Sequence, residues 1–238
     1  MLDILSQNKG IGYVIGKLWF KKSLPIWACQ FIEMSIIISA DHGPAVSGAH
    51  NTIVTTRAGK DLISSLVSGL LTIGPRFGGA LNEAGKYFFD ARKNNISPDT
   101  FVRNMKESGL SIPGIGHKIY HQYNPDKRSQ AIQQYAIENF NSTATLNFAL
   151  EVEAITLQKR NNLILNVDGA MAACFIDMIE NLSEFSSEEK LDIINNDQLN
   201  GLFTLARTIG LIGHIFDQQR LQQPLYRHPW DDIFYQVS

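Results

Sequence analysis

Residues 97–109 read S-P-D-T-F-V-R-N-M-K-E-S-G, and this segment determines the fold class. Ser97 is a favourable helix N-cap, and Pro98 follows at the first helical position, where a missing backbone N–H has no cost. Gly109 is typical of the residue just beyond a helix. The segment therefore predicts a helix that begins at Pro98 and ends before Gly109.

Helix signals recur on both sides of this segment, whereas strand signals are scarce. The tripeptide N-P-D at 124–126 repeats the arrangement of a cap followed by proline, and it predicts a helix that runs to about Phe140. Ser186 and Glu189 form a capping box ahead of a helix at 190–195. In residues 144–159 and 198–222 the apolar residues recur nearer every ~3.6 than every ~2 residues, which indicates helices. The sequence therefore predicts an all-α fold.

Two apolar segments are predicted to be buried helices. Residues 62–74 place small side chains on one side of a helix, namely Ser64, Ser65, Ser68 and Gly69. Small residues let helix backbones approach closely, so we expect a central or subunit-interface helix there. Residues 24–40 contain Gln30 and Glu33 and fall short of the roughly 20 apolar residues of a membrane span.

The composition is that of an ordinary globular chain. The 238 residues are 44% apolar and 18% charged, which suffices for one large domain or two small ones. A formal net charge of −2 gives no electrostatic reason to bind nucleic acid or an anionic membrane. Cys29 and Cys174 lie in apolar stretches and are predicted to be buried thiols rather than a disulfide. Residues 1–8 lack the pattern of a signal peptide, so we expect a cytoplasmic protein.

Polar clusters flanked by glycine stand out from this helical background. They are S-A-D-H-G-P-A-V-S-G-A-H at 39–50, G-P-R-F-G-G-A at 74–80, P-G-I-G-H-K at 113–118, L-I-L-N-V-D-G at 163–169, R-T-I-G-L-I-G-H at 207–214 and L-Y-R-H-P-W-D-D at 225–232. Each alone fits turn geometry, a buried histidine or a helix cap. Together they suit a small polyanionic substrate. Arginines would bind its carboxylates, a histidine would hydrogen-bond a carbonyl or alkoxide, and an aspartate would move a carbon-bound proton.

Other kinds of site find little support in these clusters. His42 and His50 are eight residues apart and no Cys or acidic set completes a metal site with them, so no metal is expected. Neither G-x-S-x-G nor a Cys/His signature indicates a nucleophile. The G-I-G at 114–116 lacks the third glycine and the βαβ context of a dinucleotide site.

At these clusters the chain resembles the citrate synthase superfamily. It is most similar to the C-terminal module of ATP-citrate lyase, which also occurs as stand-alone citryl-CoA lyase. The similarity runs from about Gly10 to Tyr235. Its motifs include A-D-H-G-P-A-V-S-G-A-H-N-T at 40–52, A-G-K-D-L at 58–62, R-F-G-G-A-L at 76–81, G-I-G-H at 114–117, N-L-I-L-N-V-D-G at 162–169, L-I-G-H at 211–214 and L-Y-R-H-P-W-D-D-I at 225–233.

This resemblance implies a helical fold with the substrate in a cleft between two domains. Residues 1–77 and 170–238 would form the large domain, and residues 78–169 an inserted small domain, which fits the lack of a serial linker. The implied catalytic residues are His42, which binds citrate, His117, which binds its carbonyl or hydroxyl, and Asp168, the catalytic carboxylate. The implied carboxylate-binding residues are Arg128, Arg207 and Arg227, the last reaching the site from a neighbouring subunit.

The resemblance also places coenzyme A and exposes two departures from the wider family. Gly114, Gly116, Lys106 and Lys118 are the implied coenzyme A residues. Lys118 replaces the usual arginine, which keeps the charge but loses bidentate phosphate binding. Phe77, among the implied substrate-binding residues, stands where citrate synthases carry a histidine that hydrogen-bonds the thioester carbonyl. The ATP-citrate lyase module also has phenylalanine there, so this position favours a lyase.

The resemblance therefore implies an enzyme that cleaves citryl-CoA to acetyl-CoA and oxaloacetate by a retro-Claisen reaction. Coenzyme A would be part of the substrate, and no metal and no ATP would bind this chain. A separate ATP- and CoA-binding subunit or domain would activate citrate. The shared Arg227 implies at least a homodimer, and a tetramer is consistent with it. The alternatives are a citrate-synthase-type condensing enzyme and, with less support, a non-catalytic oligomerisation module.

Overall fold

The computed structural model describes residues 9–74 and 80–234. Their helices are α1 (Ile11–Leu18), α2 (Ile26–Ser39), α3 (Ser47–Arg57), α4 (Leu62–Leu70), α5 (Ala80–Lys93), α6 (Pro98–Glu107), α7 (Lys127–Asn139), α8 (Ala144–Leu157), α9 (Val167–Asn181), α10 (Ser187–Asn195) and α11 (Gln198–Arg220), followed by a 3₁₀ turn (Trp230–Asp232). Within these two ranges no residue lies in a β-strand. The all-α prediction is confirmed.

The helix predicted from residues 97–109 is confirmed in detail. Ser97 is the N-cap of α6, its hydroxyl accepts the N–H of Thr100, and Pro98 begins the helix. Gly109 follows with φ of +68°, a left-handed conformation that favours glycine. The capping box of α10 is also present, because Ser186 and Glu189 accept each other's backbone N–H at 3.2 and 2.7 Å.

The predicted start of α7 is wrong by two residues. Asp126, and not Asn124, is the N-cap, and its Oδ1 accepts the N–H of Arg128 at 2.9 Å. Asn124 is unable to cap the helix because its backbone closes a tight turn with His121, with N–H···O distances of 3.2 and 2.8 Å. The helix therefore begins at Lys127.

Contacts divide the chain into two units, of which the first comprises residues 1–38 and 75–203. Its central element is α9, in which every residue from Gly169 to Ile179 is buried. Helices α5, α7, α8 and α10 pack around it. A helix that is apolar on all sides is stable only when enclosed in this way. Cys29 and Cys174 are buried free thiols, as predicted.

The side chain of Asp177 is a carboxylate buried beside α8. Asp177 of α9 accepts the N–H groups of Thr145 and Leu146 at 2.7 and 2.9 Å. It thereby caps α8, whose own N-cap residue makes no side-chain cap bond. Arg92 lies 3.9 Å from Asp177 and binds Glu180 at 2.7 Å. Burial raises the pKa of Asp177 to about 6, against the lowering effect of these bonds.

The second unit comprises residues 39–74 and 204–238, and its helices α3 and α4 pack closely together. A Cβ at Gly69 would lie 2.8 Å from the carbonyl oxygen of Gly48, so the backbones touch as the small residues predicted. The other face of α4 is apolar and open, with Ile63 and Val67 exposed by 65% and 43%.

Among the described residues, α11 is the helix that is long and apolar enough to cross a membrane by length and composition. Leu199, Leu202, Ala206 and Ile215 of α11 are buried in the protein, as in a core helix. The expected insertion of a small domain at 78–169 follows boundaries different from those of the two units, and it stays a prediction.

Candidate active site

The loop at 113–118 is fastened to the segment at 162–169, both in the first unit. Gly116 donates to the carbonyl of Ile164 at 2.7 Å, and the carbonyl of Gly114 accepts from Asn166 at 3.0 Å. Gly114 has φ of +82°, and a Cβ there would lie 2.5 Å from Cα of Gly169. Only glycine fits this approach, which brings the two sequence motifs side by side.

Backbone groups fix the ring of His117. Its Nδ1 accepts the N–H groups of Ile119 and Tyr120, each at 3.0 Å. Nδ1 is therefore unprotonated, and the neutral ring carries its hydrogen on Nε2. Burial lowers the pKa of His117, Arg128 lowers it further, and the carboxylates of Asp126 and Asp168 partly oppose them. His117 is thus a neutral hydrogen-bond donor.

Arg128 is held by a buried carboxylate. Its Nε and Nη2 donate to Asp126 Oδ1 and Oδ2 at 3.1 and 2.8 Å, and Asp126 is only 2% exposed. Burial raises the pKa of Asp126, but the bonds from Arg128 outweigh this and hold it below its ordinary value. Three of the five guanidinium N–H groups remain for a ligand. Sequence reasoning missed Asp126 as a site residue, although the D-x-R spacing at 126–128 was a usable signal.

Asp168 lies in the first turn of α9. The N-cap is Asn166, whose Oδ1 accepts the N–H of Gly169 at 3.0 Å, so a capping role for Asp168 is not needed. The hydrogen bonds between the loop at 113–118 and the segment at 162–169 bring Asp168 beside the loop of His117, near enough for its charge to act on both His117 and Arg128. The positive end of α9 favours a carboxylate at this position.

Side chains of two other helices clamp the segment that leads to Asp168. Glu153 of α8 accepts the N–H of Leu165 at 2.7 Å, and Ser129 of α7 donates to its carbonyl at 3.0 Å. Thr156 donates to the carbonyl of Leu163 at 2.8 Å. Burial raises the pKa of Glu153. These bonds replace the sheet partners that an extended segment normally requires.

A cavity of about 300 Å³ lies beside the loop at 113–118. Its polar lining residues are Lys106, Lys159, Ser111 and Thr156, and its apolar lining is Val102, Met105, Leu110, Ile112, Ile115 and Leu163. The sequence had singled out Lys106 and had missed Lys159, which lies in no recognisable motif. Lys118 is exposed next to His117.

In the second unit, the loop after α2 meets one face of α11. Arg207 and His214 lie on this face, and Gly210 between them leaves room for the backbone of Ala40. Nη2 of Arg207 is 3.2 Å from Nδ1 of His42, and Nε2 of His214 is 2.9 Å from Asp41. Because arginine only donates, Nδ1 of His42 accepts, so this ring also carries its hydrogen on Nε2.

The predicted site residues thus fall into groups. His117, Arg128 and Asp168 cluster in the first unit, and His42 pairs with Arg207 in the second. Arg227 is exposed, and no hydrogen bond or ion pair joins it to other residues in the described ranges. Phe77 lies outside the described residues. Within those residues, no three His, Cys, Asp or Glu side chains are grouped as metal ligands.

Comparison with known sequences gives a consistent result. The family model described as "Citrate synthase, C-terminal domain" matches residues 6–228. A protein of Oryza sativa subsp. japonica named ATP-citrate synthase beta chain protein 1 is 57% identical over 99% of this chain. The chain spans 39% of the length of that relative.

Solved structures share the fold. An ATP citrate lyase of Methanosaeta concilii, a D541A mutant in complex with (3S)-citryl-CoA, is 56% identical with a TM-score of 0.96, over 100% of this chain and 39% of its own. A citryl-CoA lyase of Hydrogenobacter thermophilus is 25% identical with a TM-score of 0.83, over 100% of this chain and 87% of its own.

Proposed function

Because the chain belongs to the citrate synthase family, we propose that it cleaves citryl-CoA into acetyl-CoA and oxaloacetate. The observation that carries the proposal is the cluster of His117, Arg128 and Asp168, which combines a neutral donor, a fixed cation and a carboxylate. A relative 56% identical to this chain was solved with (3S)-citryl-CoA.

The arginines bind the carboxylates of the citryl group. Arg128 offers its remaining N–H groups, while Asp126 keeps the guanidinium in place. Arg207 turns from His42 to a second carboxylate. Guanidinium groups suit this work because they form paired hydrogen bonds to a carboxylate.

The histidines act on the tertiary hydroxyl. His117 donates Nε2–H to its oxygen and stabilises the developing carbonyl, since fixed backbone N–H groups hold Nδ1 as an acceptor. The hydroxyl proton therefore goes to another base. We assign this step to His42, because its Nδ1 is paired with a side chain, Arg207, and not with backbone N–H groups. The ring then moves its hydrogen to Nδ1 and accepts at Nε2.

Cleavage of the C–C bond sends its electron pair into the thioester, which forms the enolate of acetyl-CoA. The proton taken by His42 passes through solvent to the Asp168 carboxylate. Asp168 then delivers a proton to the enolate carbon and yields acetyl-CoA, which returns it to the carboxylate form and balances the cycle. In the reverse direction Asp168 removes a methyl proton.

Coenzyme A binds beside this cluster. The cavity with Lys106 and Lys159 has ammonium groups for phosphates and an apolar wall for the rest of the cofactor. Lys118 adds a further positive charge next to His117, and Gly114 and Gly116, with φ of +82° and +103°, shape the loop that carries both residues.

The functional unit is at least a homodimer. Exposed apolar residues on α4 need a cover, and the exposed Arg227 is able to reach a neighbouring subunit. Because the chain spans 39% of the length of the rice relative, citrate activation with ATP is assigned to another subunit or domain, in a cytoplasmic assembly.

The experiment offers synthetic citryl-CoA to the purified chain and follows oxaloacetate through malate dehydrogenase and NADH. We expect ATP-independent release of oxaloacetate and acetyl-CoA in equal amounts, with no reaction of free citrate plus CoA. Formation of citrate from acetyl-CoA and oxaloacetate faster than cleavage would refute the lyase and support a synthase.

A further inference from the structure

The tail that follows α11 is fastened to α3 around Arg227. Nε of Arg57 donates to the carbonyl of Pro224 at 2.7 Å, and its guanidinium lies 5.3 Å from the ring centre of Tyr226. The ring of His50 meets Tyr226 edge-on at 5.2 Å. His50 and Arg57 are seven residues apart, so both lie on one face of α3.

Tyr226 also joins the next part of the tail. Its hydroxyl lies 3.1 Å from Nδ1 of His228. Leu225 and Arg227, on either side of Tyr226, are both exposed. The tail is thus held to α3 at Pro224 and Tyr226, and Tyr226 in turn contacts His228, while Arg227 between them is exposed.

We propose that Arg57, acting through Pro224 and Tyr226, is a positioning residue for Arg227. This inference rests on the proposed function, in which Arg227 binds a substrate carboxylate. A long arginine on an unattached tail would lose backbone and side-chain freedom on binding substrate. The contacts of Arg57 fix the backbone of the tail in the folded protein, so binding has to order only the side chain.

The test is a double-mutant cycle on the purified full chain with citryl-CoA as substrate. Arg57→Ala is expected to lower kcat/KM about tenfold, mainly through KM, given the contacts it removes. In an Arg227→Ala background the same substitution is expected to change kcat/KM less than about twofold. Equal losses in both backgrounds, or no loss in the parent, would overturn the proposal.

Arg220→Ala is the matched control, because Arg220 also lies over an aromatic ring, Phe216, at 6.0 Å, and pairs with Asp217. It is expected to leave kcat/KM unchanged. A parent without turnover would refute the proposed function but not the fastening of the tail. Hydrogen–deuterium exchange of residues 222–234 tests, without turnover, whether Arg57 holds the tail. Faster exchange in Arg57→Ala than in Arg220→Ala supports this role of Arg57, and equal exchange in the two variants overturns it.

Discussion

Asp126→Asn separates the binding role of Asp126 from its capping role. In the parent, Oδ1 accepts from the backbone N–H and Nε of Arg128, and Oδ2 accepts from Nη2 at 2.8 Å. Asparagine keeps one oxygen for the cap. Its NH₂ group then faces Nη2, and two donors oppose each other.

The expected loss of activity in Asp126→Asn follows from the lost hydrogen bond between Oδ2 and Nη2 of Arg128. A hydrogen bond to a charged group contributes about 1.5–3 kcal/mol, and each 1.4 kcal/mol is about a tenfold change in an equilibrium constant. We therefore expect kcat/KM for citryl-CoA to fall roughly 10- to 100-fold. The loss should appear in KM rather than in kcat, because Arg128 binds a carboxylate that is present before and after cleavage.

Initial rates from the NADH-coupled assay give KM and kcat, and urea unfolding gives the free energy of unfolding. Asp126→Ala should show the same KM effect and lose about 1 kcal/mol more stability, because the cap is removed as well. Ser186→Ala, which removes a cap from α10, should lose similar stability with an unchanged KM. A KM within twofold of the parent in folded Asp126→Asn would refute the positioning of Arg128 by Asp126.

The remaining predictions concern the proton donor, the fixed ring, the cofactor cavity and the core. Asp168→Asn should keep fold and CoA binding while single-turnover cleavage slows by about 10²–10⁴-fold, and a rate within twofold of the parent contradicts its role. Nitrogen NMR shifts of His117 at pH 7 should show a neutral ring with hydrogen on Nε2; an imidazolium would contradict the geometry. Lys106→Ala and Lys159→Ala should each weaken CoA binding in calorimetry about tenfold without changing kcat at saturation; unchanged affinity removes the cavity from CoA binding. Since burial raises the pKa of Asp177 to about 6, the folded state binds the extra proton, and the free energy of unfolding should fall by about 2 kcal/mol as the pH rises from about 4 to 6. Asp177→Asn should lack this slope in urea unfolding at the two pH values.

Helix positions could be predicted from sequence where local chemistry decides them. Ser97 with Pro98, and Ser186 with Glu189, act within one helical turn, and both predictions are confirmed. The predicted start of α7 was wrong because the backbone of Asn124 forms a turn with His121 instead. The cap-and-proline pattern at 124–126 does not show that turn. The central position of α9 was not predicted either, because its burial on all sides depends on four other helices.

The candidate site likewise contains residues that the sequence indicated and residues that only the fold brings together. The roles of His117, Arg128 and Asp168 came from the resemblance, and their grouping in the structure supports them. The residues that hold them were not foreseen. Glu153, for example, lies in the middle of α8 with no motif around it, and only the fold brings its carboxylate to Leu165 N–H.

Arg128 and Arg227, both proposed to bind a substrate carboxylate, differ in when their side chains become ordered. An arginine side chain carries about 2 kcal/mol of rotamer entropy. Asp126 fixes the Arg128 guanidinium in the folded chain, so substrate binding does not have to order it again. Arg227 has a fastened backbone but no side-chain partner in the described ranges, so its ordering must accompany substrate binding or subunit assembly. Arg128 should therefore contribute more to affinity than Arg227 in a dilute, dissociated chain, and the difference should shrink as the subunits associate.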